Sequence, residues 1–189
     1  MLWGGHSGSL ELRSEGGETR LRITFPYGRT AVLQAAVRGC AALHEVIEPR
    51  AFAGRIDAGD EVHFLAGHDY NKPLASTRAG TLTLRDTDAA LEIEATIDNG
   101  TSWARDFLAA HAAGLVRGLS PGFRVQPGGE QVDARSKTIL RTIRAADLFE
   151  ISAVTVPAYP DAQIEARNWI WNPDLRRAAL IYHNTTRWR

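Results

Sequence analysis

Period-two alternation of apolar and polar residues is the main pattern along this chain. The segment LRITF puts Leu21, Ile23 and Phe25 on one face, and residues 81–86 and 91–97 repeat the alternation around the turn DTDA. Because successive side chains of a strand point to opposite faces, these segments predict hairpin-linked β-strands. The same reading predicts further strands at residues 61–66, 117–126, 138–145 and 148–156.

One helix is predicted in the middle of the chain. Thr101 or Ser102 can cap the segment WARDFLAAHAA, in which Trp103 and Phe107 fall on one apolar side, and Gly114 ends it. Capping residues favour a helix start and glycine favours a helix end, so both boundaries are marked.

The order of these elements favours an α+β or mainly β fold. Strands, one helix and further strands in succession are typical of a mostly antiparallel sheet or barrel with helices packed outside, rather than of a doubly wound sheet. The polar, glycine-rich segments at residues 127–137 and 15–18 are predicted to be loops.

Length and charge exclude several classes of protein. A chain of 189 residues is long enough for one core, and its 22 basic and 22 acidic residues create no strong positive field, so neither nucleic acid nor an anionic membrane is the expected partner. A single cysteine, Cys40, cannot form an intrachain disulfide and fits a reducing cytoplasm. The chain contains neither an export signal nor an apolar run of about 18 residues, which predicts a soluble, unexported protein.

The composition changes in the last part of the chain, which predicts two regions. Residues 1–165 form the main domain, and residues 166–189 form a Trp/Arg-rich extension with a short helix predicted at 173–182. Two interpretations of its tryptophans stay open, because exposed tryptophans favour a contact surface but they could also cover the edge of the core.

Three residues suggest nucleophilic chemistry. His68 follows a predicted strand, Ser120 lies in GLSPGF between small residues that leave its hydroxyl accessible, and Glu150 interrupts an apolar strand. A serine hydroxyl needs a base that works near neutral pH, and imidazole suits that task. An acidic side chain can then hold the ring in the correct tautomer.

Each of these residues also has a simpler interpretation. A histidine after a strand commonly bonds to backbone, and a serine between glycines is commonly a turn or bulge residue. Glu150 could pair with Arg141 or Arg144, which lie close to it in sequence. Spacing alone therefore does not establish a catalytic triad.

Metal binding is a further alternative, and a weaker one. His63, His68 and Asp69 offer suitable ligand atoms. The two histidines lie five positions apart on an element too short to direct both at one ion. We therefore predict no metal site.

Four blocks carry a resemblance to a known family. They are HEVIEPRAF at 44–52, LAGHDYNKPLASTRAGTLTL at 65–84, LVRGLSPGFRV at 115–125 and DLFEISAVTVPAYPDAQI at 147–164. In this order they resemble the signature blocks of the prohead proteases of tailed bacteriophages, a family related to the herpesvirus assemblins. The last block is the most specific of the four.

The resemblance implies a serine endopeptidase that works without a cofactor inside the assembling procapsid, in the host cytoplasm. Such enzymes remove the scaffolding portion of the major capsid protein and often digest themselves. The implied fold is a closed, mostly antiparallel β-barrel surrounded by a few α-helices. On the matching motifs, Ser120 is the nucleophile, His68 the general base and Glu150 the residue that orients it. A homodimer is implied by analogy with the assemblins.

The chain departs from the family pattern at two positions. Pro121, which has no N–H, follows the serine, so the oxyanion donor has to be sought in the Ser120 or Gly122 amide or in Arg144. Arg50 stands where relatives commonly have glycine, which makes the start of the fold less well defined.

Three alternatives stay open from the sequence. Asp69 could orient the neighbouring histidine, although adjacent side chains on an extended segment point apart. The chain could also be a catalytically silent capsid-assembly factor on the same fold, or an unrelated β-barrel hydrolase with the same three groups. The intact set of serine, histidine and glutamate counts against the silent factor.

Overall fold

The computed structural model describes residues 9–15, 17–35, 41–135 and 138–155. The predicted C-terminal extension and Cys40 lie outside these residues. The helices are α1 (Ala53–Asp57) and α2 (Ser102–Ala112). The strands are β1 (Ser9–Glu15), β2 (Glu18–Pro26), β3 (Thr30–Gln34), β4 (Ala42–Ile47), β5 (His63–Ala66), β6 (Pro73–Ser76), β7 (Leu82–Asp86), β8 (Ala90–Asp98), β9 (Gly118–Val125), β10 (Glu130–Arg135), β11 (Thr138–Ile143) and β12 (Ala146–Val154).

The described strands form three four-stranded sheets, with the orders β1-β2-β8-β7, β10-β11-β4-β3 and β6-β5-β12-β9. Most neighbours run antiparallel, while the pairs β11–β4 and β12–β5 are parallel. The predicted closed barrel is wrong, because none of the three sheets closes on itself. Alternation indicates which face of a strand is buried, but closure depends on whether the two edge strands pair, and alternation carries no information on that pairing.

The alternation itself is confirmed in the first sheet. Leu21, Ile23 and Phe25 of β2 are almost completely buried. Ile23 lies opposite Ile93 of β8, whose own alternate residues are also buried. The apolar faces of the sheets meet in one core, which also takes up side chains of α2.

Helix α2 begins and ends where the sequence predicts. The Thr101 hydroxyl accepts a hydrogen bond from the Ala104 N–H at 3.3 Å, and Gly114 has a φ of 71°, which glycine adopts without strain. The buried Phe107 ring packs edge-on against Phe64 of β5, with 6.0 Å between ring centroids. Neither described helix has the length and apolarity that a membrane span needs.

Strand β10 corrects the prediction of a loop at residues 127–137. It forms an antiparallel hairpin with β11, at the edge of its sheet, and its polar composition hid it. Arg141 of β11 is buried there between two carboxylates, with Nη1 2.7 Å from Glu45 and Nε 2.6 Å from Glu130. Pairing along the hairpin and this ion pair therefore outweigh the weak strand preference of the segment.

Candidate active site

The sheet β6-β5-β12-β9 brings the three candidate residues together. Ser120 of β9 lies directly opposite Ser152 of β12, and Gly122 lies opposite Glu150. His68 follows β5, the parallel neighbour of β12 on its other side. Residues that are up to 82 positions apart in the chain thus lie on three adjacent strands or at their ends.

A β-bulge in β12 turns Glu150 toward the face that carries Ser120. The pairing with β9 shifts between Leu148, which lies opposite Phe123, and Glu150, which lies opposite Gly122. Leu148 is fully buried among core residues. Without the shift, period two would put both side chains on the same face, because they are two residues apart. The bulge redirects the carboxylate, as bulges beside functional sites commonly do.

Phe149 is the extra residue of the bulge, because the register with β9 goes from Leu148 directly to Glu150. Two guanidinium groups lie over its ring, with the Arg55 Cζ atom 4.3 Å and the Arg124 Cζ atom 5.3 Å from the ring centroid. Cations at this distance from an aromatic face are attracted to it. The two arginines therefore stabilise the bulge from α1 and β9.

His68 and Glu150 form a close pair. The His68 Nδ1 atom lies 2.7 Å from Glu150 Oε1, and both side chains are largely buried. A carboxylate oxygen accepts hydrogen bonds, so this contact assigns the donor role to Nδ1, and in the neutral form of such a ring the lone pair is on Nε2. The alternative that Glu150 pairs with Arg141 or Arg144 is wrong, because both arginines bind other groups.

Ser152 binds both members of the His68–Glu150 pair, and it was not predicted from the sequence. Its Oγ accepts a hydrogen bond from the His68 backbone N–H at 3.0 Å and donates one to Glu150 Oε2 at 2.5 Å. The residue is completely buried. The available signal was the spacing in EIS, since residues two apart in a strand share a face.

The turn after β5 holds His68 in an uncommon backbone conformation. Its φ is 61° and that of the preceding Gly67 is 65°, and histidine tolerates this region better than most residues. The Asp69 carboxylate accepts a hydrogen bond from the Asn71 backbone N–H at 2.9 Å, which holds the pKa of Asp69 below its usual value. Asp69 thus stabilises the turn, while the Nδ1 atom of the histidine ring faces Glu150.

Ser120 is only 4% exposed, so the expectation that its glycine neighbours leave the hydroxyl accessible is wrong for this conformation. The following residue, Pro121, pairs with Ile151 although it has no N–H to donate. We therefore expect the ladder at this point to use hydrogen bonds of the flanking residues, which directs the Ser120 and Gly122 amides alike toward β12.

Arg144 lies with a different sheet. Its guanidinium bonds Gln131 Oε1 at 2.5 Å and lies 3.6 Å from Glu48, and half of the side chain is exposed. Both partners belong to the region of β10 and β4. These contacts hold Arg144 with the second sheet, apart from the strands that carry Ser120 and Glu150.

The metal-site alternative finds no support in the described part of the chain. No group of three or more histidine, cysteine, aspartate or glutamate residues there could hold an ion. His63 instead lies 3.6 Å from Glu61 and contacts the Tyr70 ring edge-on, with 5.8 Å between centroids.

Tyr70 contributes an exposed phenol beside the buried pair. Partial burial and the charge of Glu150 raise the pKa of Tyr70, while Arg55 acts in the opposite sense. The hydroxyl therefore stays neutral at neutral pH and remains able to donate a hydrogen bond.

Gly122 leaves room for the Glu150 carboxylate. A Cβ atom at this position would overlap Oε1 and the end of the glutamate side chain. We expect Gly122→Ala to lower the free energy of unfolding by about 1–3 kcal/mol, because a buried and hydrogen-bonded side chain must move. Denaturant unfolding measures the change.

The matched control for this substitution is Gly54→Ala. An added Cβ there meets only Gln126 Nε2 at 3.5 Å, an ordinary contact, and the position is helical. The control should be neutral or slightly stabilising. Equal stability of the two variants would contradict the steric role assigned to Gly122.

Comparison with known proteins gives one match. The sequence model of the caudovirus prohead serine proteases matches residues 10–172, which is most of the chain. The comparison with curated proteins returned no match, and that with solved structures returned none either. The match spans all of the elements that position Ser120, His68 and Glu150. The chain belongs to the caudovirus prohead serine protease family.

Proposed function

We propose that this protein is a serine endopeptidase that cleaves the scaffolding portion of the major capsid protein, and also itself, during procapsid maturation. It would act inside the assembling procapsid in the host cytoplasm. The observation that carries the proposal is the 2.7 Å contact between His68 Nδ1 and Glu150 Oε1, next to the strand that holds Ser120. Family membership supplies the reaction class and the kind of substrate.

The three residues have distinct roles in the proposed reaction. Ser120 Oγ attacks the scissile carbonyl, and His68 Nε2 takes its proton and later gives it to the leaving amine. Glu150 keeps Nδ1 protonated and stabilises the imidazolium that forms. Water then repeats the attack on the acyl-enzyme, with His68 again as the base.

Stabilisation of the oxyanion needs a donor that points at the developing charge. Pro121 cannot provide one, and the ladder geometry weakens the case for the Ser120 and Gly122 amides alike. The contacts of Arg144 with Gln131 and Glu48 weaken its case as well. These contacts therefore favour none of the oxyanion donors named from the sequence.

The test is co-expression with the major capsid protein of the same phage, combined with a fluorophosphonate probe. We expect the wild-type protein to shorten the capsid protein and the probe to modify the peptide that contains Ser120, because a hydroxyl activated by a base attacks phosphorus. Mass spectrometry reads both results. Light scattering on the active protein gives its molar mass and so tests the homodimer that the resemblance implies.

Two outcomes would overturn the proposal. A capsid protein that binds the chain but stays full length would support the silent assembly factor instead. Labelling of a serine other than Ser120 by the fluorophosphonate would show that Ser120 is not the nucleophile. Ser76→Ala is the control variant for cleavage and labelling. Ser76 lies on β6 of the same sheet, but its hydroxyl accepts a hydrogen bond from the Ala79 N–H.

A further inference from the structure

The hydrogen bonds around Ser152 form a closed circuit that begins and ends at His68. The His68 backbone N–H donates to Ser152 Oγ at 3.0 Å, and Ser152 Oγ donates to Glu150 Oε2 at 2.5 Å. Glu150 Oε1 then accepts from His68 Nδ1 at 2.7 Å. One buried hydroxyl therefore links one carboxylate oxygen of Glu150 to the His68 backbone, while the other carboxylate oxygen binds the His68 ring.

We infer that Ser152 is a positioning residue of the proposed protease, one that sets the orientation of the His68 ring by tying Glu150 to the His68 backbone. This inference rests on the proposed function for its kinetic part only. Ser152 is not a second nucleophile, because its single proton points to the carboxylate and the His68 N–H occupies an acceptor site on its oxygen.

The backbone conformation of His68 explains why such a tie is useful. A φ of 61° is disfavoured for a residue with a Cβ atom and persists only where the surroundings hold it. The backbone amides of residues 67–69 donate three of the hydrogen bonds that hold this turn against the neighbouring strand or across itself. They are Gly67 N–H to Ala153 O at 3.0 Å, Asp69 N–H to Ala66 O at 3.4 Å and His68 N–H to Ser152 Oγ.

Loss of the hydroxyl should act on the rate rather than on substrate binding. Ser152→Ala leaves His68 and Glu150 in place but frees one carboxylate oxygen and the histidine N–H. Misplacement of a reacting group by about 1 Å can cost about 10²-fold in rate. We therefore expect kcat to fall about 10- to 100-fold with KM unchanged.

The experiment compares wild type, Ser152→Ala and Ser152→Thr on the capsid protein, with Thr19→Val as control. Thr19 also carries a buried hydroxyl, 3.3 Å from Asn99 Oδ1, but it lies on β2 of another sheet. The threonine variant keeps the hydroxyl and should recover part of kcat if it folds. The control should keep wild-type kcat.

Proton NMR provides a readout that needs no substrate. The wild-type protein should show a low-field signal from His68 Nδ1–H, assigned by its loss in His68→Gln, and the signal should broaden or vanish in Ser152→Ala but not in Thr19→Val. A wild-type kcat in Ser152→Ala, an unchanged NMR signal there, or an equal loss in Thr19→Val would overturn the inference. If the wild type cleaves nothing, the proposed function fails while the NMR comparison still decides the role of Ser152.

Discussion

Ser120→Ala is expected to lower the rate of capsid-protein cleavage about 10⁶-fold, because it removes the attacking oxygen and leaves only binding and electrostatic effects. His68→Ala should cost about as much, since an unactivated hydroxyl attacks an amide very slowly. Purified protein and capsid substrate, followed over days by mass spectrometry, give the residual rates.

The double variant Ser120→Ala/His68→Ala provides an internal check on these two losses. Residues that act as a unit have strongly non-additive effects, so the double variant should be hardly slower than either single one. Losses that multiply would mean that the two side chains work independently. Ser120→Ala retaining more than about a tenth of the wild-type rate would exclude Ser120 as the nucleophile.

Glu150→Gln should give the second-largest effect, a fall in kcat of about 10⁴-fold. The amide has nearly the same shape as the carboxylate, so the fold should be kept. Ser152 donates a hydrogen bond to Oε2 of the carboxylate. In the glutamine variant it therefore favours the orientation in which the amide oxygen takes the place of Oε2. The amide nitrogen then faces Nδ1 and favours the tautomer with the proton on Nε2, which cannot accept the proton of Ser120.

A second substitution tests this account of the tautomer. In Glu150→Gln/Ser152→Ala the amide is free to turn its oxygen toward His68 Nδ1, so part of kcat should return. Unfolding measurements on both variants confirm that neither has lost its fold. If the double variant is slower than Glu150→Gln by the full factor lost in Ser152→Ala alone, Ser152 does not control the orientation of the group at position 150.

Three features of the site could be predicted from the sequence for simple physical reasons. The strand ends before His68 because alternation stops at Gly67 and the polar cluster after it, and the structure ends β5 at Ala66. Ser120 and Glu150 fall within predicted strands because apolar and β-branched residues surround them. Ser152 was predictable from its spacing to Glu150, but nothing in its residue type distinguishes it from other buried serines.

The hairpin of β7 and β8 followed from the sequence, but the pairing of strands that are distant along the chain did not. Alternation predicts a buried face and not a neighbour, so neither the open sheets nor the parallel contact between β5 and β12 followed from it. Polar β10 was predicted as a loop for the same reason, because only its partner β11 makes it a strand. Arg144 looked available for the active site because sequence distance from Glu150 says nothing about which sheet its side chain joins.

The sequence by itself determined which residue types this protein has for its chemistry, and where the main helix and the regularly alternating strands lie, because period and capping are local properties of the chain. The tertiary structure alone decided which face Glu150 occupies. Strict alternation would put it with the buried Leu148, and the bulge at Phe149 turns it toward Gly122, His68 and Ser152 instead. A bulge is stabilised by contacts with other elements, here those of Arg55 and Arg124 with the Phe149 ring, and such contacts exist only after the chain has folded.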